Sequence, residues 1–349
     1  MENNRNSMIA IGLTVLIVLA WQFFFMGPRM EAQRQAQEQA ALQQQTQEQT
    51  VTPDGATPAV SGQTGGSDAV FSQAGAQQAS APRVKIETPS LEGSINLAGA
   101  RIDDIKLKDY HVTVDPTSPI VTLFSPANTE NGYFAELGFV QGDNSGTVPG
   151  PQTVWTLEKG SELTPSTPVV ISYTNDSGIK FTRTFSIDDK YMITVDDKVT
   201  NNSDKQAAVT PYGRITRFNL PDEPSAWVLH EGFLGVFGAD AGVTLETYKS
   251  VDKENQSFDG ATGGWFGVTD KYWGTAVIPQ ANVNYDARFS HFTDGRARYQ
   301  ADYSDNAALT IAPGQSADLK TMVFAGAKET NTLTAYEKQF NIRLFDRMI

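Results

Sequence analysis

No cysteine occurs in the 349 residues, so disulfides, thiolate metal sites, a cysteine nucleophile and a lipidated N-terminal cysteine are all excluded. That absence fits an exported domain that avoids adventitious oxidation. Histidine is scarce too: His111, His230 and His291 lie too far apart in sequence to form a motif by spacing. "HEGFL" (230–234) begins like a metalloprotease helix but lacks the second histidine four residues on, so no zinc site is expected. Basic residues are in the minority. With 27 Lys+Arg against 40 Asp+Glu, the formal charge is −13 and the pI about 4.7. Phosphate binding needs a clustered basic face, and none is evident, so nucleic acid is not expected as a partner. Nucleotide and hydrolase signatures are also missing. "GFLGVFG" (232–238) spaces its glycines by three rather than as G-x-G-x-x-G, and neither a P-loop nor G-x-S-x-G occurs.

One long apolar run is present. Met8 to Met26, "MIAIGLTVLIVLAWQFFFM", has only Thr14 and Gln22 polar and carries no charge. At 1.5 Å per residue it reaches roughly 28 Å, close to the hydrocarbon thickness of a bilayer. Trp21 and Phe23–Phe25 sit near one end, as in an interfacial aromatic belt. A cleaved signal peptide has a shorter apolar region and a small-x-small site, and "FFFMGPRM" offers none, so the reading is an uncleaved anchor. Arg29 and Arg34 beyond the run oppose a simple positive-inside count. Long following domains translocate largely regardless of such charges, so the N-terminus is expected inside.

Residues 27–82 are rich in Gln, Gly, Ser, Pro and Ala, and bury too little apolar surface to offset ordering entropy; a flexible tether is expected. From 83 to 328 the pattern is β. "KFTRTFSI" puts Phe181, Phe185 and Ile187 on one face, interrupted by Arg183, which marks an edge or a salt-bridged site. "YMITVDDKV" puts Tyr191, Ile193, Val195 and Val199 together, and "VVISYTNDSGIKFTRTF" reads as a hairpin. Turn signals recur at 175–178, 188–189, 201–204, 293–295 and 313–314, without βαβ alternation. A mainly β fold follows, as a single large multi-sheet sandwich, with two tandem β domains as the alternative. Residues 329–349 change character. Leu333, Tyr336, Phe340, Leu344 and Met348 line one face of a helix, with Asn331 or Thr332 as cap and Thr334/Glu337 in capping-box form. The pattern stops without a C-cap glycine or proline, and the expectation is that the polypeptide continues.

No residue set stands out as catalytic. The acid pairs Asp103–Asp104, Asp188–Asp189, Asp196–Asp197 and Asp222/Glu223 would divide between opposite faces of a strand or solvate turns. In "YGRITRFNLPDEPS" (212–225), Arg214 and Arg217 flank a strand-like run before Pro221 and Pro224 force a loop, which reads either as a partner loop or as a plain β-connection. The densest stretch is "GGWFGVTDKYWGTAVIP" (263–279). Trp265, Phe266, Tyr272 and Trp273 either form a ligand platform, with Asp270 and Lys271 as polar contacts, or fill the core of a strand–turn–strand unit. Spacing alone leaves both open.

The anchor, the Gln-rich tether, the "GGWFGVTDKYWGTAVIP" block, "VFAGAKET" and the terminal "YEKQFNIRLFDRMI" together resemble the N-terminal portion of the YidC/Oxa1/Alb3 family of bacterial membrane protein insertases, over essentially the whole chain. Gly326-Ala327-Lys328 departs from the Gly-Pro-Lys of many relatives. The resemblance implies a β-supersandwich similar to galactose mutarotase-like proteins, with an N-terminal transmembrane helix and a C-terminal amphipathic helix. It implies the layout 1–7 cytoplasmic, 8–26 anchor, 27–82 tether, 83–328 periplasmic sandwich and 329–349 helix leading to a membrane core. Further transmembrane helices and a hydrophilic groove with an essential arginine would follow beyond these residues. The implied function is to assist insertion and folding of inner-membrane proteins, alone or with the Sec translocon, without catalytic, cofactor or metal residues. The implied partners are the membrane, nascent inner-membrane proteins and translocon components. The block at 263–279 is then a core element, with Asp270 and Lys271 in its turn. A carbohydrate-binding or mutarotase-like periplasmic domain is the alternative.

Overall fold

The computed structural model describes residues 80–220 and 230–349. The anchor, the tether as far as residue 79, and the loop holding Pro221, Asp222, Glu223 and Pro224 lie outside the described residues. No helix among the described residues is long and apolar enough to cross a membrane.

The first half of the chain forms β1 (Arg83–Glu87), β2 (Leu91–Asn96), β3 (Arg101–His111), β4 (Ile120–Phe124), β5 (Tyr133–Gln141), β6 (Thr156–Lys159), β7 (Glu162–Leu163), β8 (Val169–Thr174), β9 (Ile179–Ile187) and β10 (Met192–Asn201). Then follow β11 (Ala207–Phe218), β12 (Gly232–Val236), β13 (Thr244–Thr247), helix α1 (Tyr248–Lys253), β14 (Gln256–Thr262), β15 (Trp265–Thr269), β16 (Trp273–Ile278), β17 (Asn284–Phe292), β18 (Arg298–Asp305), β19 (Leu309–Ile311) and β20 (Ser316–Ala327). Helix α2 (Thr330–Gln339) and a 3₁₀ turn (Phe345–Met348) close it. One sheet runs β14-β17-β18-β11-β5-β3-β2-β1-β7, with β19 on β11 and β4 on β3. The other runs β13-β12-β15-β16-β20-β10-β9-β8-β6.

The two sheets share one core, in which Ile105 and Phe139 of the first meet Phe181, Val195 and Phe324 of the second. Phe139 and Phe181 lie 5.1 Å apart across the gap, and Tyr133 and Thr275 join their hydroxyls at 2.6 Å. The architecture is the single sandwich expected from the strand pattern, not two tandem domains. β8 and β9 pair antiparallel around a turn in which Asn175 Oδ1 accepts from the Ser177 and Ile179 amides. In β9 every second residue from Ile179 to Ile187 is buried, Arg183 included. Arg183 is the salt-bridged case rather than an edge. Its guanidinium meets Asp197 of β10 at 2.7 and 2.9 Å and donates to the Leu137 carbonyl of the opposite sheet at 2.9 Å. Burying that charge is tolerable because it is paired and hydrogen-bonded.

Of the acid pairs on strands, Asp196–Asp197 divides as alternation requires, whereas Asp103–Asp104 does not. The register shift between β2 and β3 lets Ile102 and Ile105 both enter the core and leaves both carboxylates beside Arg83 and Ser94. Asp197 points inward to Arg183, while Asp196 faces out to Lys320 at 3.5 Å. Asp103 is buried against Arg83, and Asp104 accepts from Ser94 Oγ at 2.6 Å.

A second buried layer lies on the other face of the first sheet. Tyr133, Ala135 and Leu137 of β5 enter the shared core, so Phe134 and Glu136 point the opposite way. Glu136 accepts from Arg101 Nε of β3 at 3.0 Å, from Arg214 Nη2 of β11 at 2.6 Å, and from the Tyr212 hydroxyl at 3.0 Å. Arg214 is also in register with Asp302 of β18, whose carboxylate takes Arg288 of β17 at 2.9 Å. Across β3, β5, β11, β18 and β17 the charges therefore alternate in sign. Arg101, Glu136, Arg214 and Asp302 are at most 2% exposed.

Near the end of β18, burial pushes the Asp305 carboxyl up to about 7. Its folded pKa exceeds the unfolded value of about 3.9, so the folded state holds a proton the unfolded state lacks between these limits. Asp305 is therefore neutral to stability below about pH 4, and its burial cost grows as pH rises to about 7. Asp305→Asn is expected to gain about 1–3 kcal/mol over wild type at about pH 8, after allowance for residual solvent, and nothing at about pH 4. Urea unfolding followed by tryptophan fluorescence at both pH values checks this; an equal gain at both would refute it.

Candidate functional site

The aromatic block is the strand–turn–strand unit β15–β16. Phe266 to Thr269 pair with Gly274 to Val277, and the Asp270 amide closes the turn on the Trp273 carbonyl at 2.9 Å. Gly264 enters the unit at φ +83°, where a Cβ would stand 1.8 Å from the Val236 carbonyl oxygen. Only glycine fits there. Trp265 and Phe266 are completely buried. Trp265 Nε1 donates to the Arg343 carbonyl at 3.0 Å, and its ring meets Phe345 edge-on at 5.1 Å. The four aromatics are thus not a platform. Two are core, Trp273 is half-buried, and Tyr272 is exposed and inclined 63° to Trp273. Asp270 does sit in the turn, held by Arg217 Nη1 at 2.7 and 2.8 Å.

The C-terminal segment packs on this unit in two pieces rather than as one helix. Helix α2 stops at Gln339, and the chain turns back through Asn341 (φ 54°) and Leu344 (φ 58°) into the 3₁₀ turn. Leu333 and Tyr336 are buried as their spacing predicts, whereas Met348 reaches the core from a separate element. At Gly274 a Cβ would lie 2.4 Å from Met348 Sδ, so the absent side chain makes the seat for that residue. Glu329, not Asn331 or Thr332, is the N-cap of α2, and its carboxylate is already engaged. It takes Tyr191 Oη at 2.7 Å, Tyr110 Oη at 2.9 Å, Lys190 Nζ at 3.2 Å and Thr332 Oγ1 at 2.6 Å. Burial opposes ionisation there, but these donors outweigh it and hold Glu329 down at about 2.

Between this packed end and the β3–β4 hairpin lies an open groove of about 1260 Å³. One side is Tyr110, His111, Val112 and Pro119 to Thr122; the other is Lys271 to Trp273, Lys328 and Arg347 to Ile349. Leu234, Leu245, His230, Thr269 and Ala327 complete it. The floor is aromatic: Tyr110 meets Trp273 edge-on at 5.1 Å, and Lys271 Nζ lies 5.1 Å above the Tyr272 ring. Lys328 anchors the turn, its amide donating to the Tyr272 carbonyl at 2.9 Å and its Nζ to Thr269 Oγ1 at 3.0 Å. Burial lowers the Lys328 pKa, against Asp270 and Glu231.

Two of the three histidines, His111 and His230, line the groove, each against a backbone carbonyl. His111 Nδ1 lies 2.6 Å from the Ser118 carbonyl and His230 Nε2 lies 2.9 Å from that of Phe233. His291 is elsewhere, at 2.9 Å from Asp252 and stacked on Tyr299. That His–carboxylate contact was not legible in the sequence, and it lies outside the groove lining. Among the described residues no His/Asp/Glu group is arranged to hold a metal ion.

Residues 83–346 match the family model described as the YidC periplasmic domain. The chain belongs to the YidC family. It is 56% identical over 352 residues to the membrane protein insertase YidC of Rhizobium etli, with all of this chain and 58% of that protein covered. To the membrane protein insertase YidC of Brucella suis it is 47% identical over 364 residues, covering all of this chain and 59% of that one. The chain thus spans somewhat over half the length of these curated relatives. Among solved structures it is similar to a galactose mutarotase related enzyme from Lactobacillus acidophilus (TM-score 0.48, 9% identity, 70% of this chain and 97% of that one). A galactose mutarotase-like protein from Lactobacillus casei gives a TM-score of 0.46 at 11% identity, over 70% of this chain and all of that one. At that level the likeness carries no argument about chemistry.

For this YidC-family domain the groove was not foreseeable from spacing. Its walls come from stretches within 110–122, 230–273 and 327–349 that are distant in sequence, and only the 263–279 block was marked by its own composition. Tyr110 carries no local signal, and Lys328 and Arg347 stand only within the stretches that carry the family resemblance.

Proposed function

We propose that this chain is the membrane-tethered periplasmic part of a membrane protein insertase, assisting insertion and folding of inner-membrane proteins alone or with the Sec translocon. The layout is a cytoplasmic 1–7, an anchor at 8–26, a tether at 27–82, the sandwich at 83–328 and the helical exit at 329–349, with residues 27–349 in the periplasm. In this reading the domain is not an enzyme and works by contact, its partners being the bilayer, nascent inner-membrane proteins and translocon components. The observation that supports it most is the family match over residues 83–346 together with relatives named as insertases along the whole chain. The groove adds a contact surface. The full-length protein in inverted inner-membrane vesicles is expected to keep residues 83–349 protected from added protease until detergent opens the membrane. Digestion of that region in sealed vesicles would falsify the topology and the reading with it.

A further inference from the structure

We infer that the groove face is a bilayer-docking surface that takes the headgroup region of anionic phospholipid. The chain as a whole is strongly acidic, yet this lining holds Lys271, Lys328 and Arg347 and no carboxylate. Of the nearby acids, Asp270 is held by Arg217, Glu329 by its four donors, and Asp346 faces Arg347 at 3.6 Å, while Asp115, next to Val114, is exposed and accepts from Thr117. Glu231 flanks Lys328 from outside the lining.

The apolar part of the face is equally selective. Of the exposed large hydrophobics among the described residues, Val112, Leu245 and Tyr272 line this groove, and Val114 stands in the same loop as Val112. Val114 is fully exposed and Val112 is 65% exposed. A cluster of this kind on an otherwise polar surface marks an interaction site. Trp and Tyr with amphipathic rings, beside Lys and Arg whose stems lie on apolar surface, form the composition that settles at a membrane–water interface. Half-buried Trp273 and exposed Tyr272 under Lys271 are such a set. An anionic headgroup adds counter-charge to Lys271 and to Arg347, which Asp346 meets at 3.6 Å, and the glycerol and upper acyl region receives Val112, Val114 and Leu245. From the proposed function this takes only the presence of a bilayer nearby.

The absence of native cysteine makes the test clean, since an introduced thiol is unique. The full chain carrying Tyr272→Cys is labelled with an environment-sensitive fluorophore and reconstituted into phosphatidylcholine vesicles with or without phosphatidylglycerol, with nitroxide on the lipid headgroups. Thr156→Cys, exposed on β6 at the opposite edge of the second sheet, is the control. Quenching at position 272 but not at 156 is expected, strengthened by phosphatidylglycerol and weakened by salt. Adding Lys271→Ser or Arg347→Ser lowers the docked-to-undocked ratio about fivefold per charge. Unchanged urea midpoints certify that these variants fold. Equal quenching at both positions, or quenching indifferent to anionic lipid and to the two charges, overturns the proposal. Quenching by lipid absent, with the label shielded instead by an acidic apolar peptide, assigns the groove to a peptide and also overturns it. Insertion assays with Lys271→Ser and Arg347→Ser placed in the full-length insertase report separately on the insertase reading, so failure of one is distinguishable from failure of the other.

Discussion

Glu136→Gln is expected to destabilise the sandwich by about 3–5 kcal/mol, the cost typical of removing one partner from a buried ionic cluster. The carboxylate is 2% exposed and stands between two guanidinium groups, Arg101 and Arg214, with the Tyr212 hydroxyl as a further donor. Glutamine keeps the shape but loses the charge that lets two cations sit together on one sheet face. Replacing Arg101, Glu136 and Arg214 together by apolar residues of similar volume is expected to cost much less, because no unpaired guanidinium is then left and Asp302 keeps its pair with Arg288. The pH dependence follows. Burial pushes the Glu136 carboxyl up, but Arg214 and Arg101 outweigh it and hold it at about 2. Since the folded pKa lies below the unfolded value of about 4.3, this stabilisation is complete above that pH and disappears as pH falls through about 2. Urea unfolding at neutral and acid pH measures both effects. A gap between wild type and Glu136→Gln that fails to narrow in acid would refute the assignment.

Trp265→Ala is expected to cost about 3–5 kcal/mol, from lost apolar burial and the cavity left behind. The consequence should be uneven. Trp265 is the contact at which β15 holds the returning chain, through its bond to the Arg343 carbonyl and its edge against Phe345. Limited proteolysis under native conditions should therefore cut within residues 340–349 in the variant and leave wild type intact. Trp265→Phe, which keeps most of the volume but not the N–H, should lose about 1 kcal/mol for the bond with a smaller cavity term. Cleavage spread evenly over the domain would show that Trp265 is core alone and does not fasten the exit segment.

Much of the architecture follows from local pattern. A period of two exposes β9 and β10 directly, and Asn-Asp-Ser-Gly sets their neighbouring hairpin, because both depend on residues close in sequence. The C-terminal helix was visible for the same reason, yet its end was not. Continuing one helical stripe to Met348 would ignore that Phe345 and Met348 bury more surface by folding back onto Trp265 and Gly274 than by extending the helix. The cost of two left-handed residues, Asn341 and Leu344, is met by that packing.

Composition and periodicity by themselves determined a cysteine-free, acidic, mainly β chain with an apolar N-terminal run, and they excluded thiol chemistry. They also singled out residues 263–279 without saying which side of each aromatic would be buried. Only the tertiary structure decided that Trp265 and Phe266 are core while Tyr272 and Trp273 face a groove with Lys271, Lys328 and Arg347. It alone brought Arg101, Glu136, Arg214, Asp302 and Arg288 into one alternating row. The physical reason is range. Strand alternation and turn chemistry act over a few residues, whereas sheet register and the meeting of distant segments depend on the packing of the entire sandwich.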